Sequence, residues 1–157
     1  MPDMLVRLYR LPSLDGAMER MRQEGITLRR AQPYERRVVT GFIEKHFPAA
    51  WADETSVAFA HQPVTAFIAL SDNRIVGFGA YECTRRGYFG PTGVAEEFRG
   101  RGIGYALLLA CLHGMWEMGY AYAIIGGAGP VDFYRRAVNA ELIEDSVPGI
   151  YTRIAEE

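Results

Sequence analysis

The stretch Arg99-Gly100-Arg101-Gly102-Ile103-Gly104 decides how the chain is read. It follows a β-rich run, Tyr88 to Val94, and opens a segment from Gly100 to Met118 in which Leu107, Ala110, Cys111, Gly114 and Met118 recur at helical spacing. A strand should therefore turn directly into a long helix here. The first N–H groups of a helix have no partner within it, and the aligned peptide dipoles add partial positive charge. Glycines let those amides approach an anion closely, and Arg99 and Arg101 add attraction at longer range. Such a turn suits a pyrophosphate. The dinucleotide pattern GxGxxG fails in both registers, because Tyr105 and Leu107 stand where its third glycine belongs, and no Gly-Lys-Ser/Thr occurs anywhere. The spacing that fits is Arg-x-x-Gly-x-Gly, with Arg99, Gly102 and Gly104.

Outward from this turn, helices and strands interleave. Met4–Leu11 reads as a strand, and Ser13 caps a helix with an apolar stripe of Leu14, Ala17, Met18 and Met21 that Gly25 ends. Ile26–Ala31 is a strand, Pro33–His46 a helix with Val38, Val39, Phe42 and Ile43 on its buried face, and Trp51–His61 a second helical segment. Pro63–Leu70 and Arg74–Glu82 flank the polar turn Ser71-Asp72-Asn73 and should form an antiparallel hairpin. After the central turn come a strand over Tyr120–Ile125, a helix over Pro130–Val138, and two closing strands, Glu141–Glu144 and Ile150–Ile154. Adjacent hairpins among helices imply a mixed α/β sheet rather than a purely parallel one.

The chain has 157 residues, the size of one domain, and no repeats or linkers divide it. An apolar fraction of 49% with 8 Phe, 9 Tyr and 2 Trp excludes disorder. Seventeen basic against nineteen acidic residues give no footprint for duplex nucleic acid. Cys83 and Cys111 fit neither a zinc spacing nor a CxxC pair, so no metal is expected. Neither a signal peptide nor a membrane-length apolar run is visible, and a cytoplasmic, membrane-free setting is the expectation.

From Gly90 through Val94, Arg99 and Gly102 to Gly104 the sequence resembles the hallmark of the GNAT superfamily of acetyltransferases, a strand, then [Arg/Gln]-x-x-Gly-x-[Gly/Ala], then a helix. Phe133-Tyr134-Arg135-Arg136-Ala137-Val138-Asn139-Ala140-Glu141-Leu142 is similar to a second signature of that family. The resemblance implies an α/β fold with a mixed, mostly antiparallel central sheet flanked by helices: a single domain over 1–157, with a core over 26–154 and an N-terminal strand-helix extension over 1–25. That extension would cover a sheet edge or form a homodimer contact. The implied activity is transfer of an acetyl group from acetyl-CoA to a primary amine, directly, in a ternary complex. A non-catalytic acyl-CoA-binding sensor or interaction module is the alternative.

By the same resemblance, the backbone from Arg99 through Gly100, Arg101, Gly102, Ile103 and Gly104 to Tyr105 would cradle the coenzyme A pyrophosphate. Thr92, Val94 and Ala95 would run beside the acyl arm, the Val94 amide donating to the thioester carbonyl. Tyr134 would protonate the departing thiolate while Phe133 packs in the core. Two positions depart from the pattern: Gly127 replaces an Asn that contacts the arm, and Asn139 replaces a Gly, although Asn tolerates the left-handed turn required there. No residue is marked as the base; Glu82, Asp53 and Glu54 are candidates, although such acids are more often solvated at the surface, and a water relay serves equally well. The acceptor, a small-molecule or peptide amine, stays open among polyamines, amino acids, aminoglycoside-like amines and protein N-termini.

Overall fold

The computed structural model describes residues 1–152 and 155–157. Seven strands and five α-helices follow one another as β1 (Met4–Arg7), α1 (Leu14–Gln23), β2 (Thr27–Arg30), α2 (Arg36–His46), α3 (Ala49–Ser56), β3 (Ala66–Ser71), β4 (Arg74–Tyr81), β5 (Tyr88–Val94), α4 (Ile103–Glu117), β6 (Tyr122–Ile125), α5 (Val131–Val138) and β7 (Glu141–Leu142). The strands form one sheet in the order β2-β3-β4-β5-β6-β1-β7, in which only β5 and β6 pair in parallel. This is the mixed sheet that the interleaved pattern implies, and it is mostly antiparallel, as the family resemblance implies.

Local chemistry explains the elements. Ser13 accepts the Asp15 N–H at the start of α1, and Asp72 and Asn73, both at positive φ, make the tight turn between β3 and β4. Asn139 ends α5 in the left-handed conformation at φ 53°. α4 is apolar almost all round and buries ten residues, so it lies in the core rather than on it. β4 admits it closely: a Cβ on Gly77 would come within 3.1 Å of Leu107 Cδ1, and one on Gly79 within 3.1 Å of Cys111 Sγ. One hydrophobic cluster, including Met4, Met21, Leu107 and Val138, fills the face covered by α1, α4 and α5. A second, including Val39, Ile43, Ala52 and Phe78, lies under α2 and α3 on the other face.

Several boundaries move. The first strand stops at Arg7 and passes into a 3-10 turn over Leu8–Arg10, and the second helical segment becomes α3 plus a 3-10 turn over Val57–Ala60. The long helix begins at Ile103 instead of Gly100. The closing strands are corrected most. Only Glu141–Leu142 pairs, residues 150–152 form no strand, and the rest of Ile150–Ile154 lies outside the described residues.

The place beside β6 is taken by β1, which pairs antiparallel with β6 (Met4↔Ile125) and with β7 (Met4↔Leu142). β1 is thus an interior strand and not an edge cover. Its composition suits that position: Met4 and Val6 are fully buried. Asp3 ties the junction down, its carboxylate accepting the Gly127 N–H at 2.8 Å and its carbonyl accepting the Ile143 N–H at 3.0 Å.

An interior β1 makes Met4 a core residue in the full sense. Met4→Ala should lower unfolding free energy by about 2–5 kcal/mol, as truncation within a packed core does. Urea denaturation checks this, and a loss below about 0.5 kcal/mol, typical of surface substitutions, would contradict the interior placement.

Candidate active site

The site begins where β5 and β6 part. They pair only at Tyr88↔Ile124 and Phe89↔Ile125, after which β5 continues to Val94 while β6 ends. On its other side β5 stays on β4, with a register shift near Gly90-Pro91, and the Ala95 N–H donates to the Val76 carbonyl at 2.8 Å. Backbone groups alternate in direction along an antiparallel strand, so the amides of Thr92 and Val94 point away from β4 into the gap. Ala95 faces the other way: its amide is spent on Val76 and its side chain is buried.

At the end of β5 the chain turns into α4. Gly100 and Gly102 both adopt φ 81°, a conformation that disfavours any side chain. The first intrahelical bond runs from the Ala106 N–H to the Gly102 carbonyl. Among the described residues, the N–H groups of Gly100, Arg101, Gly102, Ile103, Gly104 and Tyr105 donate to no protein acceptor. This concentration of free donors opens onto a cleft of about 820 Å³ lined by Val94, Arg99, Gly102, Gly104 and Tyr105. The Arg99 Nε also donates to the Val94 carbonyl at 3.2 Å. Arg101 turns aside, its guanidinium stacked 5.0 Å from the centre of the Phe98 ring, and the Ile103 side chain is buried.

Arg20 and Arg136 also line the cleft, and the sequence reading named neither as a site residue. Arg20 comes from α1, and its guanidinium lies so close to the turn that a Cβ on Gly102 would fall 2.7 Å from its Nη1. Nothing local in the sequence signals a pairing across some eighty positions. Arg136 was legible, because it lies three residues after Phe133 on α5 and shares its face.

A second cavity of about 740 Å³ shares Gly104 and Phe133 with the first and runs through the gap between β5 and β6. Tyr134 lines it, 6% exposed, packed edge-on against Phe89 and Phe133. Burial pushes its phenol up to about 12, so it carries its proton throughout the neutral range. Phe133, expected in the core, instead lines both cavities and is the less buried of the two. Trp51, Glu54, Thr84 and Tyr151 line the same cavity, with the Thr84 hydroxyl donating to Glu54 Oε2. Burial and then the Glu54 charge raise the Tyr151 phenol to about 12.

The remaining candidates lie apart. Glu82 lines neither cavity; its Oε1 accepts the Gly87 N–H at 2.5 Å and its Oε2 the Tyr120 hydroxyl at 3.1 Å, which closes the connection between β4 and β5. Asp53 is exposed and outside the cavities. The Gly127 N–H, where a side-chain amide was missed, is already held by Asp3. Cys83 and Cys111 line neither cavity, and burial raises the Cys83 thiol to about 12 and the Cys111 thiol further. Among the described residues no group of His, Cys, Asp and Glu is arranged to hold a metal, and no helix is long and apolar enough to cross a membrane.

The model of the acetyltransferase (GNAT) family matches residues 30–137, most of the chain. The chain belongs to the GNAT family. The match leaves out β1 and α1, which supply the interior strand and Arg20 to this GNAT fold. No curated protein matches the sequence. The structure is similar to the glucosamine N-acetyltransferase region of a fungal multi-domain GH3 β-N-acetylglucosaminidase, at 19% identity and a TM-score of 0.73, over 90% of this chain and 19% of that one. It is also similar to a GCN5-related N-acetyltransferase from Sphaerobacter thermophilus, at 23% identity and a TM-score of 0.67, over 90% of this chain and 48% of that one. A GNAT family acetyltransferase from Brucella melitensis, solved in complex with acetyl-CoA, is 18% identical with a TM-score of 0.54, over 75% of this chain and 86% of that one. The GNAT chain described here thus spans 19% and 48% of the first two proteins, and the likeness to all three is one of fold.

The buried phenol carries a pH signature. Tyr134 ionises at about 12 folded against about 10 unfolded, so the native state holds its proton where the unfolded chain has lost it. Stability from this group is complete below pH ~10 and is lost as pH rises towards ~12. Urea midpoints measured across that window should fall less steeply in Tyr134→Phe than in the parent chain.

Proposed function

We propose that this chain transfers an acetyl group from acetyl-CoA to a primary amine by direct attack within a ternary complex. The observation that carries the reading is a pair of cavities that meet at Gly104 and Phe133 beside the parted strands, with six amides free of protein acceptors among the described residues at one and a buried, protonated phenol in the other. The amides from Gly100 to Tyr105, with Arg99, Arg20 and Arg136, would hold the pyrophosphate. The pantetheine arm would then lie in the gap along Thr92 and Val94, pairing with β5 as an added strand.

In the reaction, the amine nitrogen attacks the thioester carbonyl carbon. The Val94 N–H donates to the oxygen as it gains negative charge. The carbon–nitrogen bond forms, the carbon–sulfur bond breaks with its electron pair left on sulfur, and the Tyr134 hydroxyl gives the thiolate its proton. Tyr134 is reprotonated from solvent. The proton lost by the amine leaves through Glu54, which faces the passage; Glu82, engaged on both oxygens, is left out of the chemistry. Direct transfer is favoured over an acyl-cysteine route because both thiols are held protonated by desolvation and neither lines a cavity.

Release of free coenzyme A in the presence of amines tests this. Tyr134→Phe should lower kcat by about 10²- to 10⁴-fold while the KM for acetyl-CoA holds. Coenzyme A binding with no turnover on any amine would favour a sensor instead. Arg20→Ala should raise the KM for acetyl-CoA several-fold at low salt, the difference shrinking as salt screens the guanidinium; an unchanged KM would remove α1 from the cofactor site.

A further inference from the structure

We propose that the acceptor is a compact monoamine, one cationic nitrogen on an apolar body, and that Glu54 selects it. This rests on the acetyl-transfer reading for the location of the reacting carbon, and the nature of the cavity supplies the rest. Among the described residues lining the inner cavity, Glu54 is the sole carboxylate, and no side chain is that of Lys, Arg or His. An ammonium group therefore finds one partner there. Among the described residues a ligand carboxylate finds no cationic side chain and meets Glu54 as a like charge, and a second ammonium finds no second acidic side chain.

The walls around Glu54 are apolar and aromatic. Trp51 lies three residues before Glu54 on α3 and faces the same cavity, opposed by Tyr151, while Pro48, Val147 and Pro148 extend the apolar surface. Trp51 is held in place: its ring stacks on Phe47 with centroids 5.6 Å apart and planes at 14°. Phe47 is in turn wedged over Gly93, where a Cβ would come within 2.5 Å of its ring. Gly93 adjoins Val94, so the aromatic wall is fixed relative to the amide proposed to meet the thioester oxygen. The Thr84 hydroxyl donates to Glu54, orienting the carboxylate. Aromatic faces beside a carboxylate suit a cation whose body is apolar.

The test compares benzylamine and 3-methylbutylamine with spermidine, glycine, glucosamine and a short peptide bearing a free N-terminus, using the full chain. kcat/KM for the two apolar monoamines should exceed that of each other amine by at least about tenfold, the scale on which pocket complementarity discriminates. Glu54→Gln should raise the KM for benzylamine at least about tenfold, with the KM for acetyl-CoA unchanged. Calorimetric titration of benzylamine into the chain saturated with coenzyme A reads the same preference without requiring turnover. If benzylamine binds in a Glu54-dependent way and no amine is acetylated, the acetyl-transfer reading falls while the amine site stands. If spermidine, glycine, glucosamine or the peptide binds or turns over as well as benzylamine, the proposal is overturned. It is equally overturned if Glu54→Gln still binds coenzyme A and binds benzylamine as tightly as the parent chain.

Discussion

A sheet normally satisfies its backbone by pairing every strand with its neighbours, and the five residues of β5 from Gly90 to Val94 have no neighbour on the β6 side. That separation organises the molecule. It opens the passage, turns the Thr92 and Val94 amides towards it, and brings the glycine turn and α4 to its mouth. Burial of α4 against Gly77 and Gly79 of β4 fixes the turn's position relative to the gap. The parting is stable because the residues on either side remain anchored elsewhere, β5 on β4 through the Ala95–Val76 bond and β6 on β1 through its full length.

Charge placement follows from the same geometry. One mouth gathers Arg20, Arg99 and Arg136 around unpartnered amides, so it is cationic and suited to a polyanion. The interior beyond it carries, among the described residues, a single carboxylate amid apolar walls. A phosphate-bearing coenzyme and an amine would thus be drawn to opposite ends, each by a partner that would repel the other. This separation of sign explains why balanced net charge says little about what the chain binds: the seventeen basic and nineteen acidic residues cancel in number but not in position.

The glycine turn and Tyr134 were legible because each sits in a short motif whose local spacing carries its meaning. Helix caps at Ser13 and Asn139 were legible for the same reason. What escaped was non-local. Arg20 reaches Gly102 only because α1 packs on α4, and Phe133 faces the cavities because Tyr134 takes the inner position on α5. Glu82 sat where a base was sought, yet the Gly87 amide and Tyr120 hydroxyl engage its carboxylate, partners that only the folded chain brings together. The apolar alternation of residues 4–7 reported a strand correctly and could not report its neighbours, which lie 121 residues (Ile125) and 138 residues (Leu142) further along the chain.

That last pairing governs how the protein comes into being. During synthesis β1 is translated well before both of its partners, which follow it by more than a hundred residues. This apolar strand must wait, unpaired, until β6 and β7 have emerged, and the sheet is sealed only when these distant segments meet. Closing so long a loop is entropically costly and tends to make assembly slow. Met4 to Arg7 is therefore open to chaperones and to off-pathway association for as long as the residues between it and its partners take to be made.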